Sequence, residues 1–170
     1  IYNEAAGANN DTVADLVQQL AGIMRFTLQE SAKPYISIES ELAFLDKYLT
    51  LQRARLPHSD SIRLDIHIDY DGQPAQIAPL LLIPFVENAF QYGISMKHPC
   101  FIHMKLYVEN QTLDFYLQNS TIAKEAHRKG HGVGIANVQQ RLKLLYAHRH
   151  TLKIKEENNV FEIHLQMDLY

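Results

Sequence analysis

The chain has 170 residues, 46% of them hydrophobic and 21% charged, with a formal net charge of −3. This fits one medium domain, or a small domain with a helical appendage, that can bury a core without staples, and it excludes disordered, collagen-like and low-complexity classes. The slight acidic excess argues against direct nucleic-acid binding, and the single cysteine, Cys100, excludes an intramolecular disulfide and a cysteine zinc site and reads as a reducing compartment.

The chain opens at Ile1-Tyr2-Asn3, without a methionine and in mid-pattern, so it is expected to be a piece of a longer protein. Asp11 and Thr12 can cap a helix that starts near Val13. Val13, Leu16, Val17, Leu20, Ile23, Met24 and Leu28 then recur at three- and four-residue spacing, and Pro34 marks the limit of that helix. Ser37 to Glu41 opens a second helix with an imperfect capping box. Its apolar ladder is Leu42, Leu45, Leu49 and Leu56, with Phe44 and Tyr48 beside it, and Pro57 to Asp60 ends it. Two successive amphipathic helices suit a helical hairpin or dimer surface, or equally a layer packed on the domain downstream.

The period then changes. Ile62, Leu64, Ile66 and Ile68 alternate with Arg63, Asp65, His67 and Asp69, a half-buried strand, and Asp71-Gly72 is a turn. Ile77 to Tyr92 is helix-like and strongly apolar. Pro79 suits a first turn, while Pro84 marks either a kink or the true helix start, and Gly93 ends the run. This run, the longest apolar one, is too short and too interrupted for a spanning helix of about 20 residues, and no signal peptide is visible.

Phe101 to Val108 and Thr112 to Leu117 read as an antiparallel hairpin turning at residues 109–111. Residues 119–131 form a polar, basic loop without periodicity. Gly130, Gly132 and Gly134 then open a helix running from Ile135 to about Ala147, with Val138, Leu142 and Leu145 on one side. Leu152 to Glu156 and Val160 to Met167 form a last hairpin turning at Asn158-Asn159. This order predicts an α+β sandwich, with helices on one face of a mixed, mostly antiparallel sheet and two helices ahead of it.

Two signals could carry chemistry. Glu87-Asn88 lies late in a buried apolar run. Either both face solvent, or they are kept for their oxygens, which suit Mg²⁺. The cluster Gly130-x-Gly132-x-Gly134 opens a helix, where backbone N–H groups and the dipole favour phosphate. It comes after a basic loop rather than a strand and turn, and it lacks the Walker lysine, so neither a Rossmann nor a P-loop reading applies. On its own it is equally a flexible turn. His148-x-His150 has the look of a metal pair but lacks a nearby third ligand.

Together the segments are more informative. Leu80-Leu-Leu-Ile-Pro-Phe-Val-Glu-Asn-Ala-Phe-Gln-Tyr-Gly93 resembles the N box of the LytS/YehU-like sensor histidine kinases. Gly130-His-Gly-Val-Gly-Ile-Ala-Asn-Val-Gln-Gln-Arg-Leu-Lys-Leu-Leu-Tyr146 resembles their glycine-rich box and the helix after it. Glu39-Ser-Glu-Leu-Ala-Phe-Leu-Asp-Lys-Tyr-Leu-Thr-Leu-Gln-Arg-Ala-Arg55 resembles the segment ahead of their ATP-binding domain. The three matches span most of the chain in the right order.

The resemblance implies a Bergerat-type ATP-binding domain of the GHKL class over residues 58–170. Residues 1–57 would be the remnant of the dimerisation and phosphotransfer helices. It implies a kinase that moves the γ-phosphoryl of ATP to a histidine and on to a response regulator, with LytTR-type regulators a family expectation. Asn88 would hold Mg²⁺, with Glu87 beside it orienting water. Gln91 and Tyr92 would lie toward the phosphates or the lid, and Gly130, Gly132 and Gly134 would bind phosphate and hinge the lid. It also implies a homodimer through the N-terminal helices, in the cytoplasmic portion of a bacterial inner-membrane parent.

Three departures stand out. Asn119 occupies the position where the family has the aspartate that binds the adenine amino group. Its carbonyl still accepts a hydrogen bond but carries no charge, so weaker nucleotide binding is expected. Gln91 stands where a basic residue is common, with Lys124, Arg128 and Lys129 as candidate replacements. No histidine falls between Ile1 and Pro57, so the acceptor is expected upstream of residue 1 and this piece should not phosphorylate itself. These departures leave two rival readings: a degenerate dimer scaffold that relays signals with weak or no ATP binding, and a stand-alone GHKL ATPase.

Overall fold

The computed structural model describes residues 17, 18, 20–57, 59–121 and 133–170. The described residues between 17 and 30 are helical (α1). After them come β1 (Ile36–Ser37), α2 (Ile38–Ala54), β2 (Ile62–Tyr70), β3 (Gln76–Ile77), α3 (Ile83–Gly93), β4 (Cys100–Glu109) and β5 (Thr112–Ser120). The chain closes with α4 (Val133–Leu145), β6 (His150–Glu157) and β7 (Val160–Asp168).

Five strands form one sheet in the order β2-β4-β5-β7-β6, and β1 pairs with β3 in a two-residue ribbon. Only β2 and β4 run parallel within the large sheet, so it is mixed and mostly antiparallel, as expected. Both hairpins turn on two residues. Asn110 and Gln111 have φ of 50° and 59°, and Asn158 and Asn159 have 52° and 61°. Paired left-handed residues match the twist of the strands they join.

Alternation places one face of the sheet inward. Ile102, Met104, Leu106 and Val108 of β4, Leu113, Phe115 and Leu117 of β5, and Ile163, Leu165 and Met167 of β7 are buried. Phe85, Val86 and Ala89 of α3 and Val138 and Leu142 of α4 cover them. Each such side chain contributes roughly 1.5–3 kcal/mol if it is fully buried.

The apolar run from Ile77 to Tyr92 divides. Its first residue pairs in β3, and the helix begins only at Ile83, with Pro84 in its first turn. Of the two options for Pro84, the helix start is the one realised, because proline lacks the N–H that a first turn leaves unused. Gly93 is the last helical residue, but it does not take the left-handed conformation of a terminating glycine: among the described glycines only Gly72 has positive φ.

Upstream, Ser37 caps α2, its Oγ accepting from Ser40 N–H at 3.2 Å. Ile38, Leu45 and Leu49 belong to the same buried cluster as α3 and the sheet, so α2 is part of that core. In α1, Phe26 stacks on Phe44 with ring centroids 4.4 Å apart. Val17, Leu20, Met24 and Leu28 of the expected stripe are exposed, while Val13 and Leu16 lie outside the described residues. No described helix is long and apolar enough to cross a membrane.

Candidate functional site

The middle and end of α3 supply most of the site. Glu87, Asn88, Gln91 and Tyr92 line a cavity of about 110 Å³, closed by Pro84 on the same helix and by Gly134 and Ile135 at the start of α4. Helical spacing explains the set: residues 84, 87, 88, 91 and 92 take three- and four-residue steps along one face. A liquid water occupies about 30 Å³, so this cavity has room for a few waters or a hydrated cation rather than a nucleotide. Among the described residues, the nearest atom to a Cβ added on Gly134 is Pro84 Cβ at 3.7 Å, an ordinary contact distance. Gly130 and Gly132, and the candidate cations Lys124, Arg128 and Lys129, lie outside the described residues.

The two members of the Glu87-Asn88 pair have different environments. Glu87 is exposed, whereas Asn88 is 7% exposed. Asn88 Nδ2 is buried without a hydrogen-bond partner among the described residues. Leaving a buried amide atom unpaired costs about 1–3 kcal/mol. A half-turn of the amide would present the oxygen instead. On its other side Glu87 reaches α2: burial first, then the Glu87 charge, pushes the Tyr48 hydroxyl up to about 12.

Asn119 continues the inward series 113, 115, 117 of β5 and is 1% exposed. Its Nδ2 donates to Ser120 O at 3.0 Å, and its Oδ1 has no partner among the described residues. It packs directly against Gly93, the last residue of α3. Ser120 fastens the same corner: its Oγ donates to Gly93 O at 3.0 Å and accepts from Phe101 N–H at 3.1 Å. Asn88 and Asn119, far apart in sequence, thus both attach to the second half of α3.

Two residues outside the cavity hold the segment ahead of α3, and no sequence motif marks either of them. Glu41, on α2, is 1% exposed. Its Oε2 accepts from Leu80 N–H at 2.8 Å, and its Oε1 from Leu81 and Leu82 N–H at 2.9 and 3.2 Å. Burial raises its pKa above the usual range, against the pull of those three bonds and of Arg141. Arg141, on α4, donates to Pro79 O at 2.8 Å. Leu80 between them has φ of 55°, which costs a non-glycine residue about 1–3 kcal/mol and needs such anchoring. The sequence signal for Glu41 was its spacing: four and eight residues before Leu45 and Leu49, it shares their inward face. Among the described residues no group of three or more His, Cys, Asp or Glu is placed to hold a metal ion.

Comparison with known proteins agrees with this architecture. Two solved structures share the fold over nearly the whole chain. The histidine kinase AdeS of Acinetobacter baumannii matches with a TM-score of 0.53 at 18% identity, over 98% of this chain and 83% of that one. The histidine kinase domain of the Erythrobacter litoralis blue-light activated histidine kinase matches with a TM-score of 0.54 at 12% identity, over 93% and 81%. The sandwich is therefore a fold shared with these histidine kinases.

A family model described as histidine kinase matches residues 1–59. The sensor protein LytS of Bacillus cereus is 26% identical over 85% of this chain and 26% of its own length. LytS of Oceanobacillus iheyensis is 29% identical over 75% and 24%. The sensor histidine kinase YesM of Bacillus subtilis is 24% identical over 92% and 28%. The chain thus spans about a quarter of the length of these relatives. Its similarity is thus to sensor histidine kinases of the LytS and YesM type, in the family match as in the relatives.

Proposed function

We propose that this chain is the ATP-binding part of a two-component sensor histidine kinase. It moves the γ-phosphoryl of ATP to a histidine upstream of residue 1, from which the group passes to a response regulator, of the LytTR type in the family pattern. The observation that carries this reading is the convergence of Glu87, Asn88, Gln91, Tyr92 and Gly134 on one cavity between α3 and α4. Amide atoms of Asn88 and Asn119 that have no partner among the described residues support it, since both suit polar ligand groups.

In this reading Asn88 holds Mg²⁺ through its amide oxygen, and Asn119 Oδ1 accepts from the adenine amino group. Gln91 and Tyr92 face the phosphates, and Glu87, exposed beside Asn88, orients water. Gly134, with Gly130 and Gly132, keeps the start of α4 open to phosphate. The chemistry a bound Mg·ATP supplies is a transferable phosphoryl group whose developing charge is neutralised by the metal and by N–H donors.

Residues 1–57 serve in this proposal as the dimerisation and phosphotransfer helices, and residues 58–170 as the ATP-binding domain, although α2 is packed into the latter's core. The exposed Val17, Leu20, Met24 and Leu28 give a homodimer an apolar seam. The parent protein sits in a bacterial inner membrane with this part in the cytoplasm.

Calorimetric titration with ATP and Mg²⁺, alongside Asn88→Ala, tests the reading. Binding in the micromolar to low-millimolar range that is lost in Asn88→Ala is the expected result. A folded chain that gives no heat at millimolar ATP would overturn it. The second reading, a signal-relaying scaffold, would then stand, and the neutral Asn119 and Gln91 are what favour it.

A further inference from the structure

The segment that launches α3 is gripped from two sides by residues of other helices. Glu41 of α2 accepts the N–H groups of Leu80, Leu81 and Leu82. Arg141 of α4 takes the carbonyls beside them, donating to Pro79 O at 2.8 Å and to Leu80 O at 3.5 Å. α3 has no side-chain cap of its own, so its start is fixed by what binds the residues before it. A turn or two further on, α3 carries Glu87, Asn88 and Gln91, which face Gly134 and Ile135 of α4 across the cavity. A shift at residues 79–82 is therefore carried along a short helix into the gap between α3 and α4.

We propose that Glu41 and Arg141 are positioning residues that jointly set the placement of α3 against α4, so that α2 is coupled through Glu41 to ligand affinity in the cavity. Neither residue lines that cavity. The coupling to affinity rests on the nucleotide reading above, whereas the placement of the helices does not. A carboxylate that only capped three amides would stabilise the fold and leave the relation of α3 to α4 unchanged.

The test combines amide hydrogen exchange and Mg·ATP titration on the whole chain, in Glu41→Gln and Arg141→Lys. In both variants, amides of residues 83–93 and 133–145 should exchange about tenfold faster, while those of β4 and β5 keep their protection. Faster exchange confined to residues 80–82, or spread evenly through the sheet, overturns the proposal. Mg·ATP should bind about tenfold more weakly in both folded variants, and unchanged affinity overturns the coupling. If the unaltered chain takes up no nucleotide, the nucleotide reading fails and the exchange pattern alone decides the positioning role. If Glu41→Gln does not fold, Arg141→Lys carries both readouts.

Discussion

Gly93 and Asn119 meet with no room for a side chain between them: a Cβ placed on Gly93 would lie 2.8 Å from Asn119 Cβ and 2.9 Å from its Nδ2. The end of α3 and the inward face of β5 are therefore in backbone-close contact. This contact fixes where the Asn119 amide sits relative to the helix that carries Asn88. It also explains the glycine, which is required for close approach rather than for a left-handed turn.

Gly93→Ala should force the two elements apart. Overpacking a filled site costs about 1–3 kcal/mol, and the loss should show in urea unfolding midpoints. On the proposed nucleotide reading, affinity for Mg·ATP should fall as well, because the displaced residue is Asn119. An Ala variant as stable as the unaltered chain would show that the corner yields without strain.

Asn119→Asp should separate stability from binding. Without ligand, the new oxygen would face Ser120 O, where Nδ2 now donates at 3.0 Å, and a charge would be buried at a site 1% exposed. The bare chain should lose about 1–3 kcal/mol or more. Affinity for Mg·ATP should nevertheless tighten, since a charge-assisted bond is roughly twice as strong as a neutral one. Thermal unfolding with and without saturating Mg·ATP measures both, and the deficit should shrink when ligand is present. Unchanged or weaker binding by a folded variant would remove Asn119 from the adenine site.

The sequence made the sheet legible because its strands alternate and its turns use paired asparagines or an Asn-Gln pair. Ile62 to Ile68 and Val160 to Met167 show period two, and both lie in strands of the structure. The Glu87 to Tyr92 set was legible through its resemblance to a known box and the helical spacing of its members. The split of the run at Ile77 was less so, because β3 gains its partner from Ile36, 41 residues earlier, and local pattern cannot register a two-residue ribbon. The role of Glu41 is hidden in the sequence for a related reason. Its bonding partners are backbone N–H groups about 40 residues away, and backbone groups leave no mark on sequence.

The open face of the sheet should set part of the acid stability. Gln118 first, then Tyr116, donates a hydrogen bond to Glu162 and holds its carboxyl below the usual range. A carboxyl depressed in the folded state adds stability above its unfolded pKa, about 4.5, and loses it as pH falls through the lower folded value. Glu162→Gln should therefore flatten the acid limb of a stability profile taken over about pH 2 to 6. An acid limb identical in the variant would mean that other carboxylates set it.

Tyr146 should do the opposite at alkaline pH. It is fully buried on α4's C-terminal side, and its hydroxyl oxygen accepts from Ala78 N–H at 2.7 Å, tying that end to the segment after β3. Burial first, with Tyr35 and Tyr170 adding to it, pushes its pKa up from 10.0 to about 12, against the Ala78 bond and the Arg141 charge. A phenol raised in the folded state contributes fully below the unfolded value and loses that contribution as pH rises through the folded one. Folding should weaken between pH 10.0 and about 12, with Tyr48 and Tyr116, raised to the same range, acting in the same direction. Tyr146→Phe removes the acceptor and strands the Ala78 N–H, so it should cost about 1–3 kcal/mol at neutral pH. The same change removes the Tyr146 alkaline contribution, so the gap between Phe variant and unaltered chain should narrow as pH rises toward about 12. Urea unfolding at neutral and alkaline pH measures the gap, and a gap that stays constant would mean the Tyr146 hydroxyl does not ionise in that range.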